Sequence, residues 1–319
     1  MKLAILLSFL ISLKPVKIEI IHTSNIVGNF GKSRATWINP DFPPVLGGFE
    51  SLSELVTRER ERCEKNGILL LLLDSGNFTG GFITGNTLIV DSIVNYMNSL
   101  NYDYINIGVR ELILFPEKSR NVDYLPQPMS LFDYLSKFKA KFVSSNIIFS
   151  DPRYNDIVLP YDIIDYKGIK IGIFGLVSEN TPAFIYQDID ISKCDESLRI
   201  LREYESAKKT VQTLKEKGCD LIIMLSSIGY YRERFLARDV PGIDLILGGF
   251  DGFGERQAYV DPVNHTIILR NYDYLSQIGK IVLTIDPKAK TIIDFDYTAI
   301  TPFEEEFTPL APVEMEGEE

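Results

Sequence analysis

Five short segments set polar side chains beside glycine in a way that suits chemistry. They are His22-Thr-Ser-Asn-Ile-Val-Gly28, Asp74-Ser-Gly-Asn-Phe-Thr-Gly80, Gly108-Val-Arg-Glu111, Ser226-Ser-Ile-Gly229 and Gly248-Gly-Phe-Asp-Gly252. Asp74, Glu111 and Asp251 supply carboxylates, the donors that a hard cation such as Mg²⁺ or Ca²⁺ takes. Arg110 supplies a guanidinium, a planar set of donors that cannot lose its charge. Asn25, Asn77 and Ser227 offer only neutral oxygens, while the side chains of Val27, Val109, Phe250 and Gly252 carry no donor atom. The chain has 2 histidines, His22 and His265, so a site built on several imidazoles is closed to it.

Each segment follows a predicted strand, and open α/β sheets gather their chemistry at strand C-terminal ends. Strands are predicted at Lys17–His22, Ile68–Leu73, Tyr104–Ile107, Lys141–Ser145, Lys170–Phe174, Leu221–Leu225 and Asp244–Leu247. Several are unbroken apolar runs, the pattern of strands covered on both faces. Helices are predicted at Phe49–Lys65, Thr87–Leu100, Met129–Phe138, Glu196–Lys217 and Tyr231–Arg238. The alternation gives an α/β fold. Tyr161–Tyr166 and Lys170–Phe174 flank Lys167-Gly168 and read as a hairpin. After Gly252 the pattern reads as antiparallel, with strands at Thr266–Arg270, Lys280–Ile285 and Thr291–Tyr297, and His265 enters the first of these. No internal repeat and no linker divides the chain.

In order and separation the five segments resemble the motifs of calcineurin-like metallophosphoesterases of the 5′-nucleotidase family: His-Thr-Asn-Asp-x-His-Gly, Asp-x-Gly-Asp, Gly-Asn-His-Glu, Ser-His-x-Gly and Gly-Gly-His-x-His. Gly47-Gly48-Phe49 is similar to the family's Gly-Gly-Tyr helix entry, and Ser145-Asn146-Ile147 to its Ala-Asn-Ile segment. Ile173–Pro182 and Val240–Gly249 are similar as well. The resemblance runs from about residue 17 to about residue 298. It implies a four-layer α/β/β/α sandwich of two mixed sheets, spanning 16–300. It also implies phosphoester hydrolysis by a pair of divalent ions that polarise a phosphoryl oxygen and generate a hydroxide. The family's C-terminal nucleotide-recognition domain is not expected within the 319 residues.

Against that pattern, the residues at the implied metal positions depart. Asn25 stands for an aspartate ligand, Val27 for a histidine, Asn77 for the bridging aspartate and Val109 for the asparagine. Arg110 replaces the histidine that assists the transition state, and Ser227, Phe250 and Gly252 replace three further histidines. The expectation is a non-catalytic relative, a pseudoenzyme without metal or other cofactor, serving as a binding or assembly module. The alternative is a divergent phosphoesterase holding a single Mg²⁺ or Ca²⁺ on the carboxylates of Asp74, Glu111 and Asp251, with Arg110 as the fourth residue of that residual site. Without metals the surviving carboxylates need compensation. Arg110 is expected to enter the metal space and bond one of them. Phe78 and Phe250 are read as core side chains.

Composition is that of a globular chain, 45% hydrophobic and 24% charged. A formal net charge of −11 repels phosphate backbones and excludes nucleic acid as the expected partner. A protein partner or a small anionic ligand is expected instead. Lys2 and the apolar run Leu3–Leu13 read as a signal peptide or apolar anchor over residues 1–15, which places the protein outside the cytoplasm, periplasmic or extracellular. No other stretch reads as a membrane span. Residues 301–319, rich in glutamate, read as an acidic disordered tail. Cys63, Cys194 and Cys219 lack metal-type spacing and allow at most one internal disulfide, with buried thiols as the expectation.

Overall fold

The computed structural model describes residues 14–79, 87–114, 130–181 and 198–307. In chain order the first strands are β1 (Val16–Thr23), β2 (Ser33–Arg34), β3 (Val45–Leu46), β4 (Leu69–Asp74), β5 (Tyr104–Asn106), β6 (Lys141–Val143), β7 (Ile147–Phe149), β8 (Val158–Leu159) and β9 (Tyr161–Tyr166). They are followed by β10 (Ile169–Val177), β11 (Leu198–Ile200), β12 (Leu221–Ser227), β13 (Leu245–Gly248), β14 (Tyr259–Val260), β15 (Ile267–Arg270), β16 (Ile278–Asp286) and β17 (Thr291–Ile300). The helices are α1 (Phe49–Asn66), α2 (Thr87–Leu100), α3 (Val109–Leu114), α4 (Leu131–Leu135), α5 (Glu203–Glu216), α6 (Tyr230–Asp239) and α7 (Glu304–Phe307).

Two mixed sheets carry the fold, one ordered β17-β16-β1-β4-β5-β6-β8 and the other β14-β15-β13-β12-β10-β9. Their facing sides bury Ile18, Ile20, Leu71 and Leu73 against Ile171, Ile173, Ile223, Leu245 and Leu247. On the outer side of the first sheet, Ile21 and Leu72 meet Leu52, Leu55 and Val56 of α1 and Val94 and Met97 of α2. On the outer side of the second, Ile222 and Met224 meet Val211 and Leu214 of α5 and Leu236 of α6. This is a four-layer α/β/β/α sandwich. β1 and β4 run parallel, as do β10, β12 and β13, so the C-terminal ends of each set share a side.

Four sequence expectations change. β15 pairs parallel with β13, because the short antiparallel β14–β15 hairpin turns the chain back on itself first. The stretch expected to begin a helix at Glu196 instead gives β11 over Leu198–Ile200, paired with β7, and the helix starts at Glu203. His265 lies in the turn before β15 and is exposed. The tail boundary also moves: Glu304–Phe307 form α7, and Phe307 is buried against the core beside Leu52 and Val56. Glu304 pairs with Lys32 at 2.7 Å. Residues 308–319, Cys194 and residues 1–13 lie outside the described residues. Cys63 is buried and Cys219 half-buried, and both are free thiols.

Candidate functional site

All five segments meet at the strand C-terminal ends, and their contact is made by side-chain amides. Asn77 Nδ2 donates to Asn25 Oδ1 at 2.9 Å and to Ser227 Oγ at 3.2 Å. Asn77 Oδ1 accepts the Arg110 backbone N–H at 2.9 Å, and Asn25 Oδ1 accepts that of Phe250 at 3.0 Å. The two backbone donors fix which end of each amide is oxygen, since the reverse assignment would set N–H against N–H. One knot of neutral hydrogen bonds thus joins the loops after β1, β4, β5, β12 and β13. Asn25 is 3% and Asn77 1% exposed.

The backbone around this knot is unusual. Asn25, Val27, Asn77 and Phe250 have φ of 50°, 57°, 60° and 91°. Such values are uncommon outside glycine, and a β-branched valine there is strained. Gly108 allows the closest approach, because a Cβ would lie 2.4 Å from Asn77 N and Oδ1. Strained backbone of this kind concentrates at sites where loops are held for a purpose.

Each carboxylate named from sequence is already satisfied. Glu111 is fully buried and accepts from Asn77 N, Thr79 N, Thr79 Oγ1 and Gly108 N, all between 2.7 and 2.9 Å. Burial raises its pKa, and the donors around it pull the other way. Asp74 accepts from Thr23 Oγ1 at 2.6 Å and Gly76 N at 2.8 Å. Burial, with Glu111 adding repulsion, pushes its pKa up to about 8. Asp251 accepts from the backbone N–H of Tyr230 at 2.7 Å and pairs with Arg270.

Arg270 corrects the expectation placed on Arg110. The Arg110 guanidinium makes no hydrogen bond or ion pair with Asp74, Glu111 or Asp251; Asp273 is the carboxylate whose charge it eases. Its backbone N–H, not its side chain, enters the knot. The internal cation is Arg270 at the end of β15, 1% exposed. It pairs with Glu233 of α6 and with Asp251, and donates to Gly249 O at 3.0 Å and Phe253 O at 2.8 Å. An arginine compensates only Asp251 of the three site acids, and it is Arg270; Asp74 and Glu111 are met by hydroxyl and backbone N–H donors among the described residues. One signal was available in sequence: Arg270 is a charge ending the apolar run Ile267–Leu269.

Sequence reasoning also missed the partners of His22. Asn271 Nδ2 donates to His22 Nδ1 at 3.2 Å and to its carbonyl at 2.7 Å. His22 Nε2 lies 2.9 Å from Ser75 Oγ, which donates its proton to Leu247 O at 2.6 Å. That chain assigns the proton to Nε2. Burial, and then the charge of Arg270, hold the ring neutral, with its pKa lowered to about 3. Phe78 is core, packed with Phe138 and Phe142, and Phe250 packs partly against the same cluster.

A pair of divalent ions needs anionic or imidazole lone pairs aimed at shared points. Here the amide oxygens of Asn25 and Asn77 accept internal hydrogen bonds, and so do both carboxylate oxygens of Asp74 and Glu111. Asn25 Nδ2, buried without a partner among the described residues, presents protons rather than a lone pair. Among the described residues no group of three or more His, Cys, Asp or Glu is placed to hold a metal ion. The residues present do not fit a dinuclear centre.

No protein-family model matches the chain. It is 30% identical over 242 residues to the snake venom 5′-nucleotidase of Naja atra, covering 70% of this chain and 42% of the venom protein. It is 27% identical over 239 residues to the trifunctional nucleotide phosphoesterase protein YfkN of Bacillus subtilis (strain 168), covering 74% of this chain and 15% of that protein. The chain thus spans less than half the length of these curated relatives. Among solved structures, the 5′-nucleotidase precursor from Thermus thermophilus superposes with a TM-score of 0.71 at 23% identity, over 91% of this chain and 55% of that one. The calcineurin-like phosphoesterase YfkN from Bacillus subtilis gives 0.64 at 20% identity, over 90% of this chain and 91% of that one. At these identities the structures speak to the fold alone, and the fold they share is the sandwich described above. The chain belongs to the family of the 5′-nucleotidases and calcineurin-like phosphoesterases.

Proposed function

We propose that this chain is a non-catalytic member of its family, exported from the cytoplasm, whose fold serves as a binding or assembly module for a protein partner or a small anionic ligand. The observation that carries the reading is Asn77. At the position where the family resemblance implies a bridging aspartate, its amide donates into Asn25 and Ser227 and accepts from Arg110 N. A side chain used as a hydrogen-bond tie between three loops has no anionic oxygen for a cation. Export is supported by the apolar run after Lys2.

The alternative single-cation phosphoesterase needs Asp74, Glu111 and Asp251 to face one point. Asp251 is instead bonded to Arg270 and Tyr230 N, and Glu111 to four donors of its own loops. Hydrolysis of a generic aryl phosphate, with Mn²⁺, Mg²⁺ and Ca²⁺ supplied in turn, tests the reading. No turnover above buffer is expected. Metal-dependent turnover that is lost on Glu111→Gln, in a variant that still folds, would establish the enzyme instead.

A further inference from the structure

The sheet edges differ in length. β8 and β14 are two residues long and β9 six, whereas β17 closes the first sheet with ten residues, TIIDFDYTAI, without proline, glycine or lysine. β16 pairs along one side of β17, with a bulge that leaves Ile293 without a partner residue. On the other side, Thr291 to Ala299 make no further backbone hydrogen bond among the described residues. A long strand with a free row of N–H and C=O groups is a template for another strand. Folds blunt such edges with proline, brevity, bulges or charge. β17 carries only the bulge at Ile293 and the two aspartates Asp294 and Asp296, which set the charge of any strand that can pair there.

The side chains specify what that strand must look like. On the inner face, Ile292, Phe295 and Tyr297 pack against the core between the sheets but stay only half-buried, because the sheet ends there. On the outer face, Asp294 and Asp296 are exposed and form no ion pair among the described residues. A second copy paired antiparallel about Phe295 would set Asp294 against Asp296 of its partner, and like charges directly opposite are destabilising. Apolar residues on one face and lysine or arginine on the other would cover the rings and neutralise the carboxylates together.

We propose that the edge of β17, unpaired among the described residues, is a docking site for an extended segment of a protein partner, alternating apolar and basic residues, which adds to the first sheet as a further strand. β16 separates this edge from β1, whose loop carries Asn25, and the proposal stands whether or not the cleft is catalytic. Its test reads peptide binding, and hydrolysis is measured separately.

The probe is a fluorescent peptide matching β17 in length, with valine and lysine in alternation, titrated into the full chain by anisotropy. Binding is expected, weakening about tenfold when glutamate replaces lysine and about tenfold when alternate peptide nitrogens are methylated. The variant Asp294→Lys with Asp296→Lys should reverse the preference between the two charged peptides while its melting curve stays two-state. Absent binding, equal binding of the methylated peptide, or a preference unmoved by the charge reversal would each overturn the proposal. So would a concentration-dependent dimer that the same charge reversal alters, since that places a second copy on the edge.

Discussion

Asn77 Nδ2 lies 2.9 Å from Asn25 Oδ1, and each amide is held in register by a backbone N–H from a third loop, Arg110 for one and Phe250 for the other. Shape alone would let an aspartate replace Asn77, but charge would not. Asn77→Asp would place an anion against the Asn25 oxygen, near buried Glu111. We predict a loss of about 2 kcal/mol or more in urea denaturation, larger than an unsatisfied neutral group alone would cost. Asn77→Asp as stable as the native chain would show that the tie contributes little.

Arg270 and Arg110 should separate cleanly by mutation. Arg270→Met leaves Glu233, fully buried, and Asp251 without their cation. Stranding a buried acid costs on the order of 3 kcal/mol. Arg110→Ala removes a half-buried side chain whose guanidinium bonds none of the three site carboxylates, and its cost should stay below about 1 kcal/mol. Equal losses for the two would mean that the internal cation has been misassigned.

Stability should fall as pH rises through neutrality. Asp74 binds its proton up to about pH 8 in the fold and to about 3.9 when unfolded, so between these values the folded state holds more protons and its advantage drains as pH rises. His22, with its pKa lowered to about 3, acts oppositely: its contribution is lost as pH falls below about 6.5. Between about pH 6.5 and 8 the Asp74 slope is therefore unopposed by His22, and stability should drop by roughly 2 kcal/mol. Asp74→Asn should flatten that stretch of a melting-temperature profile. The same slope in both proteins would assign it elsewhere.

Phe307 lies within the stretch that the sequence reads as a solvated tail, yet it is buried. It is 7% exposed and stacks under Arg58, whose guanidinium carbon sits 5.4 Å from the ring centroid. Phe307→Ala should cost about 3 kcal/mol, as for other buried aromatic truncations, whereas Glu305→Ala should be near neutral. Thermal unfolding of the two variants decides it.

The long elements were legible because their patterns are long. Ile68–Leu73 and Leu221–Leu225 are apolar at every position and short, the pattern of a strand covered on both faces. β2, β3, β7, β8, β11 and β14 span two or three residues each, too short for any period to register, and pairing with distant segments creates them. The meeting of the five loops was legible from their order. What fills their meeting point was not, because it depends on which atom of Arg110 points inward. Arg270 belongs to none of the five segments and reaches the site only because β15 lies parallel beside β13, a pairing that the local antiparallel pattern concealed. The acidic tail misled for a similar reason: Phe303 and Phe307 are apolar points in a run of glutamates, and Phe303 bridges to Leu46, far away in sequence.

Metal stoichiometry separates a cleft tied by amides from one that holds ions. The protein, purified, loaded with excess Mn²⁺ and Zn²⁺ and then dialysed, would be assayed by elemental analysis alongside Asn77→Ala. Because neither protein presents a set of anionic or imidazole donors at the cleft, both should carry only trace metal and should melt at temperatures unmoved by EDTA. A content near the two equivalents of a dinuclear phosphoesterase centre, lowered in Asn77→Ala and matched by stabilisation on loading, would contradict it.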